Sequence, residues 1–165
     1  IQGINNSEYP IIPTIEGDRK TLDLKTSFLK DGLSKTIIAA EVSDLRPEIS
    51  GILFWIEQKS FRLVATDSFR LAESKILGKQ IRSKGKGGFE VTVPIRTSQE
   101  LVRAIDDDET VTMYTENNQV LFETENTLLI SRLIEGSFPD YNAIVPKEID
   151  TKIKESLICL RIYLY

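Results

Sequence analysis

Apolar and polar positions alternate with a period of two over 21–24, then change to a helical period over 26–40, where Leu29, Leu33, Ile37 and Ala40 share one face. Three short runs rich in Ile, Leu, Phe and Val follow at 51–57, 60–66 and 70–77, separated by the reversals Gln58-Lys59 and Asp67-Ser68-Phe69. The pattern predicts a strand, a helix and three strands, with Thr26 or Ser27 capping the helix. The same order then returns. Residues 89–93 alternate up to Pro94, a helix near 98–105 turns Leu101, Val102 and Ile105 inward, and 110–115, 119–124 and 127–133 give three more strands. Polar turns at 116–118 and 125–126 separate them. The chain reads βαβββ twice, a duplication of pattern more than of sequence identity. The expected fold class is α+β, with two helices packed on one side of antiparallel sheets.

Between the two halves, 78–88 is basic, rich in glycine and without periodicity, which predicts a loop. It lacks the Gly-Lys-Ser/Thr ending of a phosphate-binding loop. At the margins, Tyr9-Pro10 precedes Pro13 and Phe138-Pro139 precedes Pro146, two extended, proline-bracketed stretches that read as connectors. The last residues, 157–165, are strongly apolar. They are expected to pack back, to associate with another copy or to stay disordered.

Composition narrows the function classes. The 165 residues suffice for about one domain, and no apolar run approaches the roughly 20 residues of a membrane span. A basic, apolar leader is not visible at the start, and the single Cys159 suits a reducing cytoplasm. With no histidine and one cysteine, the usual zinc ligands and the commonest general base are missing, so no metal or cofactor is expected. The net charge of -4 argues against gross electrostatic attraction to nucleic acid. Any DNA contact has to be local or topological.

The stretch 64–72 joins two strands through a polar turn and sets a polar rim beside an apolar floor. It is a hairpin corner, or one wall of a docking site. Two carboxylate groupings offer an enzymatic alternative: Asp67 with Ser68, and the acidic run 106–109. The run also suits a helix end turning into a strand, and no second Asp-Ser loop occurs in the other half to complete a hydrolytic pair. A generic protein-interaction module without a DNA role is the third class.

Three segments, Arg46-Pro47-Glu48-Ile49-Ser50-Gly51-Ile52-Leu53-Phe54, the 64–72 run, and Gly136-Ser137-Phe138-Pro139-Asp140-Tyr141 through Pro146, together resemble the bacterial DNA polymerase III beta subunit family, the sliding clamps. The match is to the second of three domains and covers nearly all of 1–150. It implies a connector over 1–18, a clamp middle domain over 19–135, a second connector over 136–150 and the truncated start of a third domain over 151–165. It also implies the DNA-clamp fold: six similar domains in a head-to-tail homodimer ring, with helices lining a hole that passes duplex DNA. This chain by itself is not expected to close such a ring.

The resemblance further implies a non-catalytic, cytoplasmic processivity factor of DNA replication. Its partners would be the polymerase III catalytic subunit, the clamp loader and other clamp-binding peptides, with no membrane. Carried over position by position, the peptide pocket is Ile49, Thr66, Ser68, Phe69, Arg70, Leu71, Pro139 and Ile144. Ser68-Phe69 stands where the family usually has glycine and histidine. Phe69 then forms part of the rim or covers the hairpin corner. Toward DNA the candidates are Arg46, Lys35 and Arg103, positions equally suited to solvated surfaces.

Overall fold

Neither half of the chain completes a sheet by itself. In the computed structural model, which describes residues 20–43, 45–84, 88–107, 109–116, 118–143, 145 and 161–164, the first half comprises β1 (Lys20–Lys25), α1 (Thr26–Thr36), β2 (Gly51–Ile56), β3 (Ser60–Thr66) and β4 (Arg70–Leu77). After a short strand β5 (Ile81–Lys84), the second half repeats the order with β6 (Phe89–Pro94), α2 (Ile95–Ala104), β7 (Thr110–Glu116), β8 (Gln119–Glu123) and β9 (Leu128–Arg132). The meander β2-β3-β4 is closed by β6, and the meander β7-β8-β9 is closed by β1. Each half lends its first strand to the other.

The exchange follows one rule in both places. The last residue of β1 opposes the first of β7, Lys25 against Thr110, and the last of β6 opposes the first of β2, Pro94 against Gly51. Both helices then start alike: Thr26 donates its N–H to the Glu109 carbonyl at 3.0 Å, and Ile95 donates to the Ser50 carbonyl at 3.3 Å. Each accepting carbonyl lies one residue ahead of the strand that pairs with the exchanged one. The duplication read from the pattern is therefore a duplication of geometry. At Gly51 a Cβ would stand 2.5 Å from the Val93 carbonyl oxygen and 2.7 Å from Ile134 Cδ1, so this start of β2 admits only glycine without a backbone shift.

The main core lies between the two sheets and the helices. Phe54 of β2 sits 5.5 Å from Phe61 in its own sheet and 6.0 Å from Phe122 of β8 in the other, centroid to centroid. Leu29 and Leu33 of α1 and Leu101 of α2 are fully buried against the same cluster. The helices touch one another, α1 reaching β1, β3 and β4 and α2 reaching β2 and β6. No helix among the described residues is long and apolar enough to cross a membrane.

Four expectations change. The stretch 78–88 is not wholly a loop: Gly78–Gln80 makes a 3-10 turn and Ile81–Lys84 pairs antiparallel with β1, burying Ile81. The first helix stops at Thr36, whose hydroxyl donates back to the Gly32 and Leu33 carbonyls, and Ile37–Ala39 continues as a 3-10 turn. A β-branched run of Thr and Ile is a weak helix former. The cap is also different. Thr26 is the first helical residue, and its hydroxyl donates toward the Asp107 and Glu109 carbonyls instead of capping its own helix. The second helix begins at Ile95, directly after Pro94, because a proline that ends a strand has the backbone geometry of a helix entry. The backbone of 161–164 forms a strand, β10 (Arg161–Leu164), antiparallel to the outer edge of β4.

Phe54→Ala is expected to cost about 3–5 kcal/mol, as buried aromatic truncations do. Urea denaturation followed by tryptophan emission and by far-UV circular dichroism should show one shared transition at lower urea. Separate transitions for the two probes would contradict the exchanged-strand core.

Candidate peptide-docking site

The β3–β4 reversal is held by its own side chains. Thr66 Oγ1 donates to the Arg70 carbonyl at 2.9 Å and accepts from the Ser68 N–H at 3.2 Å. Asp67 Oδ1 accepts the N–H groups of Phe69 and Arg70 at 3.0 and 2.9 Å, and Oδ2 accepts Arg70 Nε at 2.9 Å. The turn places Ser68 at φ +74°, in the left-handed region that glycine enters freely and other residues enter at a cost. Phe69 consequently stands out from the corner, 73% exposed.

Partial burial acts to raise the Asp67 pKa, but the two backbone donors and the Arg70 guanidinium outweigh it and hold the carboxyl below its ordinary value. A carboxylate held this way is a weaker proton acceptor, which makes Asp67 a poor general base for an Asp67-Ser68 hydrolase. The acidic run near 107 is likewise engaged in structure. Asp107 pairs with Lys30 at 2.8 Å, Lys30 also donates to the Ile105 carbonyl, and Glu109 accepts from the Asn126 amide. It joins the end of α2 to the start of α1.

The loop ahead of β2 meets the reversal. Arg46 Nη1 donates to Ser68 Oγ at 2.8 Å, and Ile49, in the 3-10 turn Pro47–Ile49, is buried. The Ser50 hydroxyl ties this loop by donating toward the carbonyls of Ser43 and Arg46. Thus Arg46, expected to approach DNA, has its guanidinium at the rim of the reversal.

Beneath the turn, Leu71 is fully buried in a small second core on the outer face of the first sheet. It packs there with Leu53, Val64 and Tyr141, joined by Trp55, Phe138 and Val145. The segment after β9 folds back over this face and supplies Phe138, Tyr141 and Val145. Pro139 lies on the same segment and lines a depression of about 220 Å³ with Leu53, Trp55, Glu90 and Tyr141. Thr66, Ser68, Phe69 and Arg70 thus form the turn, Leu71 lies in the second core, Ile49 is buried in the Pro47–Ile49 turn, and Pro139 belongs to the covering segment. Ile144 lies outside the described residues.

Sequence reasoning left out Leu53, Val64 and Trp55. The signal was present: 52–56 is apolar at every position, the mark of a strand covered on both faces. Arg62 stacks over the Trp55 ring, 4.7 Å from its centroid, and lies 3.7 Å from both Glu57 and Glu73. Burial works to lower the Arg62 pKa, yet Tyr141 and these carboxylates outweigh it, and the guanidinium titrates above its ordinary value. Burial raises the Tyr141 phenol, with Arg62 pulling the other way. Tyr141 Oη and Arg62 Nε are both buried without a hydrogen-bond partner that meets strict geometry among the described residues.

Lys35 pairs with Asp31 on α1 and lines a groove of about 340 Å³ beside Glu73, Lys75 and Gln80. Arg103 is exposed on α2 and pairs with Glu100 at 2.8 Å. Arg96, one heptad earlier, is exposed on the same stripe and was not anticipated.

A family profile described as the DNA polymerase III beta subunit, central domain, matches residues 23–140. The chain belongs to the DNA polymerase III beta subunit family. The beta sliding clamp of Streptococcus pneumoniae is 34% identical over 163 residues, covering 98% of this chain and 42% of that protein. The crystal structure of the Bacillus subtilis sliding clamp superposes with a TM-score of 0.80 at 31% identity, covering 88% of this chain and 37% of that one. A Helicobacter pylori beta clamp, solved bound to a DNA ligase peptide, shares the fold with a TM-score of 0.77 at 23% identity, covering 88% and 40% of the two chains. This chain spans about two fifths of the length of such beta subunit relatives.

The Asp67 shift has a defined sign. Because its folded pKa lies below the unfolded one, its contribution to stability is complete above the ordinary carboxylate value and is lost as pH falls through the lowered value. Amide shifts of Phe69 and Arg70, followed by NMR, should therefore titrate with a midpoint below that of an exposed aspartate. In Asp67→Asn this titration should be gone; its persistence would assign the shift to another group.

Proposed function

We propose that this chain acts as the central domain of a sliding clamp, a non-catalytic processivity factor whose complete ring encircles duplex DNA and docks its partners through short peptides. The observation that carries the reading is the self-tied turn 66–70 resting on Leu71, with the covering segment of Pro139 beside it, in a chain of the beta subunit family. A turn fixed before binding presents its rim without an ordering cost. Ile49, Thr66, Ser68, Phe69, Arg70, Leu71, Pro139 and Ile144 form this chain's share of the pocket. The partners are peptide segments of the polymerase III catalytic subunit, the clamp loader and other clamp-binding proteins of the cytoplasm. The Helicobacter pylori clamp with its ligase peptide supports the mode of docking.

On this reading 136–150 is a connector, and the rest of the pocket comes from a third domain. The head-to-tail ring needs the other domains too. Arg103 and Arg96 on the exposed stripe of α2 face the hole and touch phosphates without reading bases, and no cofactor enters. Arg46 and Lys35, already engaged with Ser68 and Asp31, contribute less.

The test is a titration of a peptide with leucine and phenylalanine anchors against this chain and against a version extended through a third domain. Binding should be weak to the first and clearly tighter to the second. In the extended protein, Phe69→Ala should change affinity about three- to thirtyfold with little effect on stability, since the ring is exposed. No binding to the extended protein would sink the pocket assignment in favour of a generic interaction module.

A further inference from the structure

On the outer face of the first sheet, one cross-strand row runs Glu90, Trp55, Arg62, Lys75 from β6 to β4. Trp55 already holds one cation, the Arg62 guanidinium, which is balanced by Glu57 and Glu73. On the other flank of Trp55, Glu90 is exposed and its carboxylate has no hydrogen bond or ion pair among the described residues. Beside it opens the 220 Å³ depression walled by Trp55, Phe138, Pro139 and Tyr141, with Asp140 as a second carboxylate. Asp140 accepts the Asn142 N–H through one oxygen, at 3.2 Å. An adjoining cavity of about 370 Å³ shares Leu53, Glu90 and Phe138 and adds Val91, Leu133 and Ile134. Among the described residues, the charged side chains lining the two cavities are carboxylates only.

We propose that these paired cavities dock an extended segment of a partner protein, with an arginine or lysine against Trp55, Glu90 and Asp140 and an apolar side chain in the neighbouring cavity. An aromatic ring beside carboxylates is the composition that holds Arg62 on the same tryptophan, so a second cation finds the same chemistry on the open flank. The aliphatic stem of the incoming residue packs on Phe138 and Pro139 while its head stays at Glu90. In an extended chain, side chains two positions apart lie on one side at roughly 7 Å, a spacing that serves two cavities sharing a wall. No residue of 66–71 lines either cavity, so this surface meets the turn-centred site only at Pro139.

Trp55 is the only tryptophan of the chain and reports occupancy directly. The probes are blocked peptides, acetyl-Arg-Ser-Leu-amide and the same peptide with citrulline, its neutral isostere, in place of arginine. The arginine peptide should change Trp55 emission saturably, and the citrulline peptide should bind about three- to tenfold more weakly. Glu90→Gln, which breaks no contact of the fold, should bring the arginine peptide down to the citrulline level with an unchanged unfolding midpoint. It should leave the leucine and phenylalanine peptide's affinity for the extended protein unaltered, so the two sites fail or stand separately. Equal affinity for arginine and citrulline, no saturable change, or an arginine affinity indifferent to Glu90→Gln overturns the proposal.

Discussion

Strand exchange is the constraint on which the rest of the structure depends. Three antiparallel strands with an apolar face leave a bare edge and a core open on one side, and here the missing fourth strand comes from the other half. β1 and β6 cannot pair until both halves are present, so the two sheets and two helices close as one unit. The close approach at Gly51, the matched registers and the paired entries of α1 and α2 are consequences of that one arrangement. Phe54, touching an aromatic in each sheet, lies where the two halves meet.

The same sheet carries the candidate site because β2 is apolar on both faces. Ile52, Phe54 and Ile56 serve the main core, which leaves Leu53 and Trp55 on the outside to be covered. The segment after β9 answers with Phe138, Tyr141 and Val145, and Leu71 is buried from the outside by the same cover. Burying a leucine contributes about 1.5–3 kcal/mol. The reversal 66–70 is therefore fixed twice, by its own hydrogen bonds above and by the second core below.

The periodic elements were legible because period is a property of neighbouring residues. Both βαβββ orders could be read from the positions of Leu29, Leu33, Leu101 and the alternating strands, and the turn 67–69 from its Asp and Ser. What escaped depended on distant partners. Ile81–Lys84 has one apolar residue in a basic, glycine-rich setting, and it is a strand only because β1 offers an edge. Thr26 looked like a cap, but its hydroxyl had Asp107 and Glu109 as neighbours 81 and 83 residues away. In the site, the roles of Thr66 and Asp67 in their own turn are local and could be inferred. The meeting of Arg46 with Ser68, and the fold-back of Tyr141 over Leu71, are tertiary and could not.

Charge places a condition on the proposed passage of DNA. With a net charge of -4, the chain cannot hold a polyanion by its overall field, so contact has to come from a few cations set in a neutral surface. Among the exposed positions of α1, Ser27, Asp31 and Ser34 carry no positive charge, and Lys35 is matched by Asp31. On α2, Arg96 has no ion pair among the described residues, and Arg103 shares only an exposed, solvent-screened pair with Glu100. The two duplicated helices are thus equivalent in fold and in formal charge, and differ in that the cations of α2 are exposed while those of α1 are half-buried. A ring needs no tight grip to stay on a closed duplex, and a sparse, one-sided set of arginines leaves phosphate contacts weak enough to exchange as the duplex moves.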